Sequence, residues 1–283
     1  MCCRTPVEIL DRRFLCIGEI IMEKITSREN SKIKLLTKLI KSKKTRKETG
    51  LFVIEGLRFV LDAFINNVQM DSLFITEECF SKSKEKINPF IQNLKNLYVI
   101  SEDLSNYISD TQTPQGVYAI CKSLDKCSNI DTIYNNGVFM CLCSLKDPGN
   151  VGTIIRTADA LGIDAVLVTE ECPDIFSPKV LRSTMGSVFR IKIITFKNEE
   201  EMLKNLKERD FVTYASVLDK SSMSLGTFQF SSKSAILIGN EANGLRKSII
   251  DECDYSLYIP MQGNAESLNA ASAANIIMWE IKR

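Results

Sequence analysis

Three loops rich in glycine and asparagine carry the residues of this chain that could do chemistry. The first, residues 146–158 with the sequence KDPGNVGTIIRTA, leaves an apolar run and enters a helical pattern. Its glycines allow a tight turn, and the free N–H groups at the start of a helix suit an anion. Arg156 falls on the first turns of a helix predicted over 151–161, where a cation opposes the helix dipole. A structural arginine would lie nearer the other end, so Arg156 is predicted to be functional.

The other two loops follow apolar runs farther along the chain. In the second, residues 237–245 (LIGNEANGL), Gly239 would let a ligand lie against the backbone and Glu241 would project into the same region. The alternative is a plain strand-to-helix turn, for which glycine and asparagine are common. The third, residues 259–274, leads into the last helix, for which Ser267 is the predicted N-cap. Five alanines between 265 and 274 predict close packing of that helix.

The 283-residue chain contains no histidine, which excludes several kinds of site. There is no Ser-His-Asp or Cys-His nucleophile, no HExxH zinc helix and no mixed Cys/His zinc site. The ten cysteines show no CxxC spacing, so we expect no metal and interpret them as reduced thiols of a cytoplasmic protein. Neither a Walker sequence nor GxGxxG is present, which disfavours a conventional nucleotide or Rossmann site.

The composition is that of an ordinary soluble protein, with 45% apolar residues, 25% charged residues and a net charge of +1. No apolar run approaches the roughly 18 residues of a membrane span. Arg12 and Arg13 interrupt the only apolar stretch near the N-terminus, so neither a membrane segment nor export is expected. The length corresponds to about two domains.

A strongly basic segment lies near the start of the chain. Residues 31–47 carry eight basic side chains and no acidic one, while Ile33, Leu36 and Ile40 recur at helical spacing. The pattern predicts an amphipathic helix with a cationic outer face that runs into a basic loop. A solvated surface helix is one interpretation, and binding of nucleic acid is the other. The residues predicted to bind the polyanion are Lys32, Lys34, Lys43, Lys44, Arg46 and Lys47.

Strand and helix patterns alternate along both halves, which predicts an α/β protein. In the first half we predict strands at 51–56, 72–76, 98–100 and 117–121, and helices at 57–66 and 102–108, the latter capped by Ser101. In the second half the predicted strands are 138–145, 165–169, 189–195, 211–216, 235–239 and 256–260. The predicted helices there are 151–161, 179–185, 199–209, 245–251 and 267–282. Several strands are continuous apolar runs, as in a parallel sheet covered on both faces, and the three loops leave the carboxyl ends of such strands.

The same patterns divide the chain. Residues 124–136 lose periodicity and collect polar turn formers, which predicts a linker between a first domain at 23–123 and a second at 137–283. Met22 followed by EKITS is similar to a second start, so residues 1–22 are predicted to be an N-terminal extension with no role in the fold.

The order, spacing and residue identities of the three loops resemble the motifs of the SpoU (TrmH) family of the SPOUT superfamily. Its members are S-adenosylmethionine-dependent RNA ribose 2'-O-methyltransferases. The basic segment and the LFVIEG strand, residues 51–56, resemble the family's RNA substrate-binding domain. The resemblance implies a parallel-sheet SPOUT domain with a deep trefoil knot, a rare exception to the rule against knotted chains. It also implies a homodimer, S-adenosylmethionine as cofactor and RNA as partner.

The resemblance assigns roles by motif position. Gly239, Ile259 and Leu268 would line the cofactor pocket, with Met261 adjacent. The residues that match the family's positions around the reacting centre are Asn150, Arg156, Glu241, Ser267 and Asn269. The guanidinium of arginine stays protonated in proteins, so we expect Arg156 to hold the target phosphate or ribose and to stabilise negative charge on oxygen. Glu241 and Ser267 would shape the loops and hold Asn150 or the ribose, or serve only as caps and turn supports.

The predicted substrate is large-subunit (23S-type) ribosomal RNA, because a separate N-terminal α/β domain is typical of the branch of the family that modifies ribosomal RNA. Methylation of tRNA is the alternative within enzymes. A non-catalytic RNA-binding assembly factor is the alternative of another class. The acceptor of the 2'-hydroxyl proton is left open between water, phosphate and Glu241.

Overall fold

The computed structural model describes residues 14–17, 20–91, 94, 96–124 and 136–283. They fold into two compact units. The first unit holds the described residues up to Leu124 together with Phe176–Pro178, and the second holds the remaining residues to Arg283. Most of the predicted linker, residues 125–135, lies outside the described residues, as do residues 1–13. Among the described residues, no helix is both long and apolar enough to cross a membrane.

The first unit is a mixed sheet with five helices among its described residues. Its strands are β1 Phe14–Ile17, β2 Ile20–Ile25, β3 Leu51–Glu55, β4 Met70–Thr76, β5 Leu97–Ile100 and β6 Val117–Lys122. Its helices are α1 Ser31–Lys41, α2 Lys43–Thr49, α3 Leu57–Ile65, α4 Glu77–Ile91 and α5 Glu102–Ile108. The strand order is β1-β2-β5-β4-β6-β3, in which β2, β5 and β4 run parallel. The other neighbouring pairs are antiparallel.

The prediction that residues 1–22 have no role in the fold is wrong for the part that is described. β2 pairs with β5 in the register Glu23↔Tyr98, and β1 pairs with β2 in the register Leu15↔Met22. The side chain of Met22 is fully buried. These strands extend the sheet at one edge, so this segment belongs to the first unit.

The basic segment forms two helices instead of a helix and a loop. Ile33, Leu36 and Ile40 are buried, which confirms the predicted apolar face of α1. Ser42 ends α1 and also caps α2, because its side chain accepts from the backbone N–H of Thr45 at 3.2 Å. The predicted basic loop is wrong, because Ser42 provides the cap that starts a second helix.

The second unit alternates strands and helices along the chain. Its strands are β7 Gly137–Leu142, β8 Ala165–Thr169, β9 Lys192–Phe196, β10 Val212–Val217, β11 Met223–Ser224, β12 Lys233–Ile238 and β13 Tyr255–Tyr258. Its helices are α6 Pro148–Ala160, α7 Pro178–Thr184, α8 Glu199–Lys207, α9 Lys247–Glu252 and α10 Ala270–Lys282, with a 3-10 turn at Ser187–Phe189.

The seven strands make one sheet in the order β11-β13-β10-β12-β7-β8-β9. Every pairing in it is parallel, which confirms the predicted α/β class and parallel sheet. One core cluster joins the central strands to α8 and α9 and includes Phe139, Leu167 and Leu206. The trefoil knot stays a prediction.

Several element boundaries in this unit differ from the prediction, among them the starts of β9 and α10. The strand predicted over 189–195 begins only at Lys192, because Ser187–Phe189 closes a 3-10 turn first. The last helix begins at Ala270, and its N-cap is Asn269 instead of Ser267. The Asn269 side chain accepts from the N–H groups of two residues in the first turn, so the helix begins directly after it.

Candidate active site

The three candidate loops leave the same edge of the parallel sheet. β7 and β12 are neighbours, and β10 alone separates β12 from β13. Because the carboxyl ends of parallel strands meet at one edge, the loops that follow β7, β12 and β13 come together there. The first loop runs directly into α6, the second closes on itself before α9, and the third leads to α10.

A chain of side-chain hydrogen bonds ties the three loops to one another. Glu241, in the second loop, accepts from the backbone N–H groups of Lys146 at 2.9 Å and Asp147 at 3.1 Å in the first loop. Its Oε1 also accepts from Nδ2 of Asn150, at 2.9 Å. Oδ1 of Asn150 in turn accepts from Nδ2 of Asn269, at 2.9 Å, in the third loop. The structure therefore brings together three of the five residues predicted around the reacting centre.

The charge on Glu241 fixes the direction of every bond in this chain. A carboxylate can only accept, so the amide of Asn150 must turn its NH₂ toward Glu241 and its oxygen toward Asn269. Asn269 must then donate with its own NH₂, which leaves its oxygen to accept from Ala271 and Ser272 at 2.9 and 3.2 Å. The Glu241 carboxylate in the second loop thereby orients the start of α10, which follows the third loop. We call Glu241, Asn150 and Asn269 the loop relay.

The local environment keeps Glu241 ionised. Burial by itself would raise the pKa of this carboxyl group, but the hydrogen bonds from Asn150 and from the backbone N–H groups of Lys146 and Asp147 lower it below its usual value. Asn150 is buried, with 7% of its surface exposed. A carboxylate that already accepts three hydrogen bonds is poorly suited to take up another proton.

Arg156 behaves differently from the loop relay. Its side chain is exposed and forms no hydrogen bond or ion pair with any residue that the structure describes. α6 begins at Pro148, with Asp147 as its cap, so Arg156 lies in the third turn and not in the first turns. The argument from the helix dipole was therefore wrong, because the helix starts three residues earlier than predicted. The free guanidinium is what now favours a functional role.

Backbone packing within the second loop is enough to explain why residue 239 is a glycine, without any ligand. A Cβ at this position would lie 2.3 Å from the carbonyl carbon of Gly244 and 2.3 Å from the nitrogen of Leu245. Asn240 and Gly244 close the loop by exchanging backbone hydrogen bonds of 3.1 and 2.8 Å. Only glycine lets the second loop fold back on itself this closely. A larger residue would distort this loop whether or not it also borders a cofactor.

The third loop presents apolar side chains to solvent. Leu268 is 37% exposed, and Ile259 and Met261 are partly exposed. Ser267 is exposed and makes no hydrogen bond to another residue in the described ranges. Within those ranges, no group of three or more Cys, Asp or Glu side chains could hold a metal ion.

Sequence reasoning missed the part that Asn240 plays in the second loop. Its side chain donates to the backbone oxygen of Ser144 at 2.8 Å and accepts from the N–H groups of Ala242 and Asn243 at 2.9 and 3.3 Å. An asparagine directly after a strand-ending glycine was the available signal, because asparagine side chains commonly close such turns.

The predicted RNA-binding residues of the first unit are not alike. Lys32 pairs with Glu23 at 2.7 Å, Lys44 lies 3.8 Å from Glu48, and Lys34 pairs with Glu29. Lys43 and Lys47 are exposed.

Arg46, by contrast, is buried, and its Nη1 donates to the backbone oxygens of Leu39 and Ile40. Because its guanidinium is used inside the unit, the structure places Arg46 in a structural position instead of on the predicted RNA-binding face.

Comparison with known proteins identifies the family. Residues 137–279 match the SpoU rRNA Methylase family, and residues 30–119 match the MRM3-like substrate binding domain. The chain belongs to the SpoU rRNA methylase family. The matched segment contains all three loops of the candidate site.

Several members of the SpoU family are similar to this chain over most of its length. The 23S rRNA (guanosine(2553)-2'-O)-methyltransferase RlmP of Bacillus subtilis is 33% identical over 92% of this chain and 100% of the relative. The AdoMet-bound rRNA methyltransferase from Sinorhizobium meliloti has a TM-score of 0.81 and 30% identity, covering 92% of this chain and 97% of that one. The SpoU methyltransferase AviRb from Streptomyces viridochromogenes, in complex with AdoMet, has a TM-score of 0.80 and 26% identity, covering 90% and 97%.

Proposed function

We propose that this chain transfers the methyl group of S-adenosylmethionine to a ribose 2'-hydroxyl of large-subunit (23S-type) ribosomal RNA. The observation that carries the proposal is the arrangement of the second unit's site. The loop relay ties three loops at one edge of the sheet, and the Arg156 side chain remains exposed with no partner in the described residues. Relatives named as 23S rRNA 2'-O-methyltransferases support the choice of substrate.

The residues of the third loop fit the proposed cofactor. The accessible apolar side chains of Ile259, Met261 and Leu268 suit the faces of an adenine ring, and neighbouring backbone groups suit its polar edge. The bound cofactor supplies an electrophilic methyl group on a sulfonium, so the protein has mainly to position the incoming hydroxyl. Gly239 contributes by letting the second loop close beside this pocket.

We propose distinct roles for the polar residues. Arg156 holds the target phosphate or ribose and stabilises negative charge that develops on the 2'-oxygen. Asn150 and Asn269 hold the loops in the reactive arrangement, and Ser267 has a hydroxyl free to bind the ribose. Glu241 is the anchor of the loop relay and not the base, because its lowered pKa makes it a weak proton acceptor and its oxygens already accept hydrogen bonds. The 2'-hydroxyl proton then leaves to water or to an RNA phosphate.

The first unit would bind the RNA that is methylated. Its match to a substrate-binding domain supports this role, as do the exposed lysines of α1 and α2. We propose Lys32, Lys34, Lys43, Lys44 and Lys47 as contacts to phosphate, and we leave Arg46 out because it is buried. The domain boundaries at 23–123 and 137–283 remain our proposal, with β1 and the first half of β2, residues 20–22, added to the first domain.

We further propose that the protein acts as a homodimer in the cytoplasm. Ile276 and Trp279 of α10 are 41% and 61% exposed, which leaves large apolar surface on this helix for a second copy. Six cysteines within the described ranges are free thiols, in keeping with a reducing compartment.

One experiment tests the proposed function and its alternatives. The purified chain is incubated with labelled S-adenosylmethionine and total RNA from cells that lack the activity, and 2'-O-methylated positions are mapped in each RNA class. Label at one ribose of 23S-type RNA is the expected result. Label in tRNA would replace this proposal by the tRNA alternative. Tight RNA binding without transfer to any RNA would identify a non-catalytic factor.

A further inference from the structure

Glu199 is a buried carboxylate that the proposed reaction does not use. Among the described residues, only Glu199 and Arg46 are both charged and buried, and 5% of the Glu199 surface is exposed. Glu199 is the first residue of α8, which follows β9 at the same edge of the sheet as the candidate loops. A buried carboxylate is costly unless it is fully hydrogen-bonded, so its partners indicate why it is there.

Its two oxygens face two different loops of the active site. Oε1 accepts from the hydroxyl of Ser144, at 2.7 Å, where the chain leaves β7 for the first loop. Oε2 accepts from Nε of Arg246, at 2.8 Å, directly after the second loop. Arg246 also pairs with the exposed Glu200 at 2.7 Å, and its own side chain is 55% exposed. One buried carboxylate therefore joins the segment before the first loop to the segment after the second.

Ser144 is held on all its polar atoms. Its N–H donates to Oγ1 of Thr169 at 3.0 Å, its hydroxyl donates to Glu199, and its oxygen accepts from Asn240. Its φ is +56°, a conformation that residues other than glycine rarely adopt. The Glu199 contact helps to hold this turn, two residues before the N–H of Lys146 that the loop relay uses.

We propose that Glu199 is a positioning residue, which clamps the first two active-site loops together through Ser144 on one side and Arg246 on the other. The inference rests on the proposed function, because it states what these loops are held for. Glu199 touches neither the loop relay nor Arg156, so it acts only by fixing where the first and second loops lie. The cofactor pocket includes the second loop, so cofactor affinity should depend on the clamp more than turnover does.

The main test replaces Glu199 by methionine in the full chain. Glu199→Met keeps a long apolar side chain in the buried position and removes both contacts. We expect the Kd and KM for S-adenosylmethionine to rise about tenfold while kcat stays within about threefold, because weaker cofactor binding that affects ground state and transition state equally raises KM and leaves kcat unchanged. Glu199→Gln, which can keep either hydrogen bond but not the charge, should give an intermediate rise.

Glu201→Met is the matched control. Glu201 lies on the same first turn of α8 and accepts from the backbone N–H of Lys197, with no contact to Ser144 or Arg246. It should change the cofactor Kd less than about twofold, since it removes the same charge from the same helix start. An equal change of the cofactor Kd in Glu199→Met and Glu201→Met would mean that Glu199 acts only as an acidic residue at a helix N-terminus. That result would overturn the clamp.

A readout that needs no cofactor follows the loop itself. The N–H groups of Asn240 and Gly244 are hydrogen-bonded within the second loop, at 3.1 and 2.8 Å. In Glu199→Met their hydrogen exchange should be about tenfold faster than in Glu201→Met, since opening of the loop becomes easier. Unchanged exchange at both amides would contradict the inference even if catalysis falls.

A double-mutant cycle separates the clamp from general stability. Arg246→Met added to Glu199→Met should raise the cofactor Kd no further, because the Arg246 side of the clamp is already lost with the Glu199 carboxylate. Additive effects would overturn the clamp. Should Glu199→Met not fold, Arg246→Met by itself carries the test through the same exchange and affinity measurements, because its side chain is largely exposed.

The proposed function can fail separately. Wild-type protein that neither binds S-adenosylmethionine nor methylates RNA would end that proposal, while the exchange measurement would still report on the clamp.

Discussion

Arg46 and Arg156 are two arginines on helices of different units, and the structure uses them in opposite ways. Arg46 is buried, and its guanidinium donates to the backbone oxygens of Leu39 and Ile40 near the end of α1. Arg156 is exposed in the middle of α6, with no hydrogen bond or ion pair in the described part of the chain. Carbonyl groups at the end of a helix have no partner within the helix, so Arg46 supplies one that the fold needs. The Arg156 side chain donates to no acceptor within the described fold.

Burial and protein partners distinguish a cation that the fold needs from one that is available to a ligand. A guanidinium is costly to bury, so a buried one with protein partners reports a structural requirement. An exposed cation with no partner among the described residues, on the helix that follows one of the active-site loops, is available to a phosphate or a developing oxyanion. Each of the following changes tests one side of this contrast.

The largest effect is expected for Arg156→Ala. Loss of a group that stabilises charge in the transition state lowers kcat by about 10²–10³-fold. Calorimetry should find cofactor affinity unchanged, because Arg156 is assigned to the ribose and phosphate. Arg190→Ala is the control, since Arg190 is a partly exposed arginine of the same unit that pairs with Asp159 at 2.8 Å. If Arg156→Ala keeps turnover within about tenfold of wild type, a cost of only 1.4 kcal/mol, the catalytic assignment is wrong.

Arg46→Met should act on stability and not on chemistry. Two backbone oxygens lose a charged donor, so we expect the free energy of unfolding to fall by about 3 kcal/mol. Chemical denaturation measures this, with Lys44→Met as the control because 84% of the Lys44 side chain is exposed. RNA affinity measured well below the melting temperature should match wild type. A variant with wild-type stability and weakened RNA binding would return Arg46 to the RNA-binding face.

These two residues also show where sequence reasoning stops. The apolar spacing of Ile33, Leu36 and Ile40 predicted the buried face of α1, and the apolar run at β8 predicted a strand with the observed bounds. Nothing local distinguishes Arg46 from the lysines around it, because its burial depends on how α2 folds back against the end of α1. The sequence contains the signal for α2 in Ser42, which lies between two basic residues and so was easily taken as part of a loop.

The site was predictable as a set of loops but not as a network. Parallel topology brings Asn150, Glu241 and Asn269 to one edge, which motif order already indicated. Only the structure shows which of these groups lie within hydrogen-bond distance, and the charge on Glu241 then fixes the direction of each bond. Ser267 and Asn269 are both good cap residues two positions apart, and only the backbone shows that Asn269 begins α10. Helix α4 was missed, although Phe80, Ser83 and Ile87 are buried at helical spacing.

Asn269→Asp should separate capping from the loop relay. An aspartate keeps the oxygen that caps α10 but loses the NH₂ that donates to Asn150, and it faces the Asn150 oxygen with another acceptor. We expect stability within about 0.5 kcal/mol of wild type, since aspartate and asparagine cap equally well, and a drop of about tenfold in kcat/KM. Asn269→Ala removes both functions and should also cost about 1 kcal/mol of stability. Full activity in Asn269→Asp would show that only the cap matters.

The smallest effect is expected where cations are exposed and free in the first unit. The side chains of Lys38 and Lys41 make no ion pair or hydrogen bond within the described residues, whereas those of Lys32 and Lys34 are paired with glutamates. Both lysine pairs carry the same charge, so their replacement by glutamine changes the net charge equally.

If unpaired lysines contact the RNA, the double variant Lys38→Gln with Lys41→Gln should raise the KM for RNA about threefold. The slope of log affinity against log salt should also become shallower, by up to about two units, since up to two phosphate contacts are lost. Lys32→Gln with Lys34→Gln should do less, because each paired lysine must first leave its glutamate. Lys38 and Lys41 also lie in the last turn of α1, where cations favour the helix dipole. Equal KM changes for the two double variants would mean that net charge alone attracts the RNA. The distinction between paired and unpaired cations would then apply to Arg156 but not to the lysines of α1.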